Sequence, residues 1–416
     1  MMAIWHYIRE FLFDLKVQKT RAILTASAVA WGTMAVSLLL AFGEGLKDRM
    51  ITSMLNSGER ILILYGGQTT KSYRGLPPGR RIRLTEEDAI FLKESIPEIE
   101  MISPHYGRWN TRLRYGAKAA VTYAVGVGPP FEIMRRMYPT AGGRFINEKD
   151  VQKRRRVVFL GHEIARELFG NESPVGKQLL IEGIPFRVIG VMQKKLQMSM
   201  NNGPDSRRAV MPLSTFRTLF GRLYVNQIVI RPREPEQAEL LKRKVRRLLA
   251  LRHRFDPSDS SALPIWDFIE EERIIRAIFL GLQIFLGIVG GLTLFVAGIG
   301  VANIMFVIVK ERTREIGIKM AVGARKIHII SQFLFEAVAM TGLGGIMGLL
   351  GSLIIIFLIR LLPLDQPPLQ YLGKPTLSPN VLAISIGALV LIGIMAGLLP
   401  ARRAASVDPV ESLRYE

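Results

Sequence analysis

The chain holds 416 residues, 49% of them apolar, with 56 Lys and Arg against 35 Asp and Glu, a formal charge of +21 and a mean hydropathy of +0.23. The absence of Cys excludes disulfide staples, thiol catalysis and zinc or iron–sulfur sites built on thiolates. A wholly soluble protein is excluded as well. Ala22–Gly43, Ala277–Val309, Ala337–Ile359 and Pro375–Ala401 carry no charged residue, and roughly 20 apolar residues suffice to cross a hydrocarbon core.

In chain order, residues 1–21 read as a cytoplasmic amphipathic segment and 22–43 as the first span. That span exceeds the usual h-region of about 7–15 residues and lacks a clear small-x-small cleavage site, so it reads as a retained anchor. Residues 44–273 form a large outer block of α+β type with stalk helices at both ends, Leu46–Leu55 and Phe268–Arg276. Arg60–Tyr65 reads as a buried strand, and Thr85-Glu86-Glu87-Asp88 opens a helix through a capping residue and early acids. Val157–Gly161 is a strand followed by a short helix over Glu163–Phe169. Lys177–Ile181 and Phe186–Met192 form a hairpin around Glu182-Gly183, and Tyr224–Ile230 is a further strand. The helix after Pro235 is expected to place Leu240, Leu241, Val245, Leu248 and Leu249 on one face. Residues 104–219 are expected to be a subdomain inserted into a smaller α/β unit.

The second span, 274–309, is followed by a charged loop at 310–328. A third span covers 329–361, a short outer loop 362–378, a fourth span 379–400 and a tail 401–416. Lys and Arg cluster before the first span, in the 310–328 loop and after the fourth span, while the 362–378 loop is poor in them. Positive charge stays inside, so both termini and the 310–328 loop are expected in the cytoplasm, and the long basic block outside is compatible with that rule.

Several motifs invite chemistry and resist it. Gly170–Gln178 has five residues between its glycines and Gln178 where a P-loop needs a hydroxyl, so it does not bind nucleotide as a Walker motif. His6, His105, His162, His253 and His328 have no metal-ligand spacing, and no catalytic triad is nominated; the chain is expected to be non-catalytic, with no metal site. Lys153–Arg156 and Lys242–Arg247 read as solvated faces or as contacts for anionic lipid or an acidic partner, not as nucleic-acid sites. The spans hold no ionisable group for a coupling ion, Glu336 lying at the edge of the third. They do hold small residues four apart: Gly287/Gly291, Gly344/Gly348 and Gly393/Gly397. These serve helix packing within one chain or across a dimer.

Lys310–Ala324, K-E-R-T-R-E-I-G-I-K-M-A-V-G-A, with Gln332–Ala337, closely resembles the cytoplasmic loop of the MacB-like and FtsX-like permease superfamily of ABC transporters. Pro400–Glu416 resembles its C-terminal tail, and Val175–Val191 resembles a signature of its extracytoplasmic domain. The order of one span, an outer domain and three spans extends the likeness over the whole chain. The resemblance implies four transmembrane helices with a periplasmic core domain, of Porter-like and Sabre-like parts, between the first and second. It implies a multi-pass protein of the bacterial inner membrane, a dimer of identical or related permeases, and an ABC ATPase on the cytoplasmic face. An extracytoplasmic adaptor or outer-membrane partner is a further implication.

By the same resemblance, Lys310, Glu311, Arg312, Arg314, Glu315, Ile316, Gly317, Ile318, Lys319, Ala321 and Gly323 form the segment that couples to the ATPase. ATP and magnesium belong to that ATPase, which is expected on a separate polypeptide, and no cofactor is expected in this chain. ATP-driven motion would reach the outer domain by mechanotransmission to export a hydrophobic or lipidated substrate. The alternative is an FtsX-like signalling permease that regulates a cell-wall hydrolase outside the membrane. A membrane-anchored enzyme with its site in 44–273 has no catalytic constellation to support it.

Overall fold

The computed structural model describes residues 19–197, 201–362 and 373–407. Chain order begins with α1 (Lys19–Leu55), β1 (Leu62–Tyr65), α2 (Glu86–Ser95), β2 (Ile99–Tyr115) and β3 (Lys118–Val127). Then come α3 (Phe131–Met134), α4 (Glu148–Gln152), β4 (Val157–Leu160), α5 (His162–Phe169), β5 (Gln178–Ile181) and β6 (Ile184–Val191). β7 (Arg208–Pro212), α6 (Leu213–Phe220), β8 (Gln227–Pro232), α7 (Ala238–His253) and β9 (Ile265–Asp267) complete the α/β part. The remainder is helical: α8 (Phe268–Glu311), α9 (Thr313–Ala321), α10 (Lys326–Arg360) and α11 (Pro379–Ala404). Two compact units result, Met50–Ile275 and Met1–Arg49 with Arg276–Glu416. The expected amphipathic segment up to residue 18, most of the 362–378 loop and the tail beyond residue 407 lie outside the described residues.

In the helical unit, α1, α8, α10 and α11 are each long and apolar enough to cross a membrane. Small residues set how closely they meet. A Cβ added at Gly344 would stand 2.7 Å from the Val29 Cβ, and one at Gly348 2.5 Å from the Ala30 carbonyl oxygen, so α10 packs backbone to backbone on α1. Gly397 stands likewise against Ala337, and Gly393 against Thr341, which joins α11 to α10. Lipid tails are as apolar as leucine, so such close approach is a main source of attraction between helices in a bilayer. Gly287 and Gly291 differ: a Cβ at either meets nothing within 4 Å, on a helix whose Ile284, Ile288 and Leu292 are exposed.

The α/β unit is organised by the long strand β2. Its first half, Ile99–His105, pairs antiparallel with β8, and Tyr106–Tyr115 pairs antiparallel with β3. The nine strands run β3-β7-β4-β6-β5-β2-β8-β1-β9, and β3 also pairs with β2. Six strands therefore close into a ring, which removes free edges, while β8, β1 and β9 extend the other half of β2 as an open sheet. α2 and α7 share a core with that sheet through Leu92, Leu241, Val245 and Ile230; Leu240, expected on the same face, is instead exposed, one position of helical rotation away from Leu241. Thr85 and Asp88 form the reciprocal capping box at the start of α2.

Glu182 and Gly183, both at positive φ, make the tight turn between β5 and β6. β8 begins later than the apolar run at Tyr224 indicates. The Asn226 side chain accepts from the Gly107 amide and the Val225 amide bonds the Leu84 carbonyl, so this stretch is engaged outside the ladder.

Candidate functional site

Between the second and third apolar helices the chain makes a short helix, α9, with two unlike faces. Ile316 and Gly317 are buried. Ile316 packs with Val309, Ile329, Phe333 and Ala404, drawing α8, α10 and α11 into one cluster with α9. On the opposite side Ile318 and Val322 are exposed, Val322 by 85%. Arg314, Glu315 and Ala321 are exposed beside them. Gly323 ends the helix at φ +101°, a conformation that glycine adopts without a steric penalty.

A polar network fixes the base of this helix. Arg312, at the junction of α8 and α9, places Nη1 3.3 Å from the buried Glu336 carboxylate of α10. Gln332 donates to the same carboxylate at 3.5 Å and accepts from Lys319 Nζ at 3.3 Å. Arg312 Nε also lies 4.0 Å from Glu315. Arg21 of α1 pairs with Glu311 at 2.7 Å, so a third long helix joins the same corner. A buried carboxylate held by a guanidinium and an amide is costly to leave unpaired, so α9 cannot rotate freely on the helices that carry it. The arrangement presents a charged rim around exposed apolar side chains, outside the apolar spans.

The sequence-derived coupling residues thus divide by face. Lys310, Glu311, Arg314, Glu315, Ile318, Ala321 and Gly323 are exposed, Arg312 and Lys319 are half-buried, and Ile316 and Gly317 face inward. The partners in α10, Gln332 and Glu336, sit four apart on one helix face, and that spacing next to an apolar run is the signal that marks them. The Arg21–Glu311 pair has no local signal, since 290 positions separate the two residues. The segment Gly170–Gln178 is a turn that feeds β5, with Gly170 and Gly176 at positive φ and Lys177 paired to Glu172.

Residues 22–248 match the MacB-like periplasmic core domain and residues 287–409 the FtsX-like permease C-terminal region. A macrolide export ATP-binding/permease protein MacB of Bdellovibrio bacteriovorus is 32% identical over 404 residues, 97% of this chain and 60% of that protein. A pyoverdine export ATP-binding/permease protein PvdT of Pseudomonas syringae pv. syringae is 31% identical over 408 residues, 96% of this chain and 58% of that protein. The chain therefore spans about three fifths of the length of these curated relatives. Among solved structures, the periplasmic region of MacB from Actinobacillus actinomycetemcomitans aligns with a TM-score of 0.42 at 20% identity, covering 54% of this chain and 95% of that one. The extracellular domain of the ABC-type transporter YknZ aligns with a TM-score of 0.42 at 19% identity, covering 50% of this chain and all of that one.

Proposed function

That the chain belongs to the ABC-transporter permease family, with a MacB-like periplasmic core domain and an FtsX-like permease region, is the premise from which we propose that it turns cytoplasmic ATP hydrolysis into movement of its periplasmic domain. The substrate is a hydrophobic or lipidated molecule that is exported. The ATPase, with its ATP and magnesium, lies outside these 416 residues, and two permease copies or paralogues work together. Both termini and α9 face the cytoplasm in this reading. The relatives named for macrolide and pyoverdine export favour export over control of a cell-wall hydrolase.

One observation carries the proposal: α9 exposes Ile318 and Val322 within a charged rim while its other face is locked to three long helices. A surface built this way receives a partner and passes its displacement on. Two substitutions test it. Glu315→Lys reverses an exposed charge, and a mismatch at a docking surface can cost several kcal/mol. Gly317→Val puts a β-branched side chain on the buried face and should tilt α9 from its seat. Both variants should insert normally, because neither touches a span, and both should lose ATPase association or ATP-dependent export. Lys153→Glu, on the exposed run of the α/β unit, should leave docking unchanged. Full ATPase association and full export in both α9 variants would reduce this helix to a linker.

A further inference from the structure

α1 ends at Leu55, and the next residue is held by a polar clip. Lys195 Nζ donates to the Asn56 carbonyl at 2.8 Å, to the Arg135 carbonyl at 2.6 Å and to Asp205 Oδ2 at 2.8 Å, which uses all three ammonium hydrogens. The Asn56 amide returns a bond to the Leu196 carbonyl at 2.9 Å. Asp205 is fully buried, and its Oδ1 takes Arg135 Nη2 at 2.9 Å and Arg208 Nη1 at 3.1 Å. Three residues beyond Asn56, Glu59 is tied to Arg136 at 2.6 Å. Arg135, Lys195 and Arg208 each sit in a basic pair, with Arg136, Lys194 and Arg207, and nothing local marks them as buried partners of Asp205.

Three cations face one carboxylate here, out of water. Arg135 Nε and Nη1 and Arg208 Nε are buried without a hydrogen-bond partner among the described residues. Such a cluster is a poor source of stability, since apolar residues of equal volume commonly serve as well or better. What it supplies is direction. Each contact holds over a few tenths of an ångström and an angle, whereas apolar surfaces slide.

The second stalk enters by other means. Phe268, at the start of α8, is 2% exposed in the apolar core, and its amide bonds the Ile61 carbonyl at 3.1 Å. β9, just before it, pairs with β1, and Asp267 caps the helix through the Ile269 and Glu270 amides at 2.9 and 3.0 Å. That entry is sheet and packing. The first leads covalently into the open sheet through β1, while the Lys195 clip ties it to Asp205, in the turn before β7, and through it to Arg208, the first residue of β7 of the closed ring.

We infer that the Arg135–Lys195–Asp205–Arg208 cluster is the joint through which the first stalk helix moves the ring of the periplasmic domain, with Lys195 as its positioning residue. The source of that movement rests on the proposed function; the joint does not. With the clip intact, the end of α1 and the ring behave as one body. Without it, the stalk end can shift while the ring stays behind.

The test uses the full-length chain, whose lack of Cys allows a spin-label pair at Thr52→Cys on α1 and Ser173→Cys in the turn before β5, both exposed. Without nucleotide, the parent pair should give one narrow distance distribution. Lys195→Met, similar in shape and uncharged, should broaden it, and Lys153→Met, at an exposed lysine away from both labels, should not. Asn56→Ala, which removes only the return bond, should broaden it less and serves if Lys195→Met fails to fold. With the ATPase assembled, Lys195→Met should keep hydrolysis and lose export, a split that a general loss of folded protein would not produce. An unchanged distribution, or export at the parent level, in Lys195→Met overturns the joint. Absence of any ATP response in the parent overturns the proposed function instead, and leaves the label widths to decide on the joint.

Discussion

Burial pulls the Lys195 amine down to about 8; Asp205 opposes that pull, and the Arg135 and Arg208 guanidinia add to it. The Asp205 carboxyl is pushed up by burial, yet Arg135, Lys195 and Arg208 together hold it far below the usual carboxylate range. The titratable neighbours include Tyr65, raised to about 12 by burial, Tyr123, raised by burial against the pull of Arg208, His105, which burial and the two arginines keep neutral, and His162, which burial and Lys195 lower. An unfolded lysine titrates at about 10.4, so between roughly pH 8 and that value the folded chain binds fewer protons and Lys195 makes stability rise with pH. Asp205 contributes stability that is present above about pH 3.9 and is lost as pH falls further. Chemical unfolding of the α/β unit, followed from pH 7 to pH 10, should show this rise in the parent and not in Lys195→Met. In the helical unit, Glu336→Ala deprives Arg312 and Gln332 of a buried acceptor and should cost about 1–3 kcal/mol of stability. It should also weaken ATPase association, read by co-purification at matched expression, because Arg312 anchors the base of α9.

At the scale of elements, the glycine pairs separate by what surrounds them. Gly344→Val would force a branched side chain into the α1 backbone, where a Cβ already meets Val29 and the Ala26 carbonyl below 3.0 Å. Overpacking of this kind costs about 1–3 kcal/mol, and thermal unfolding in detergent should show a lowered midpoint. Gly287→Val meets open space within this chain and should leave the midpoint of the monomer unchanged. Cross-linking yield between two copies should fall in that variant if the outward face of α8 is where they meet. For the ring, closure depends on β2 reaching from β8 to β3, a span of 17 residues with a register shift between Arg108 and Thr111. The bulge bends the strand enough to serve both sheets.

At the scale of the molecule, orientation is decided by Lys and Arg beside the spans. A Cys at Ser173 should react with an impermeant thiol reagent in intact cells, and one at Ser406 should be protected until the membrane is opened. The reverse pattern would put α9 outside, beyond the reach of any cytoplasmic ATPase, and the proposed mechanism with it. The background is clean because the chain has no Cys of its own.

Sequence by itself determined the features that depend on local composition. Four charge-free stretches are enough to specify four membrane-crossing helices, because the cost of burying charge in hydrocarbon acts on each segment alone. The capping box at Thr85 and the turn at Glu182-Gly183 are legible for the same reason: each is settled within four residues. The ordered motifs of Lys310–Ala324 and Val175–Val191 carry the family, and with it the periplasmic domain between the first two spans. Tertiary structure alone decided which distant residues meet. Nothing local says that β2 and β3 close a ring, since the pairing of β3 with β7 joins residues some 85 positions apart. Nor does anything local reveal that Asp205 gathers Arg135, Lys195 and Arg208, or that Arg21 finds Glu311. A charge reads as exposed until its partner is known, and in this chain those partners arrive from other elements, brought together only when the core has packed.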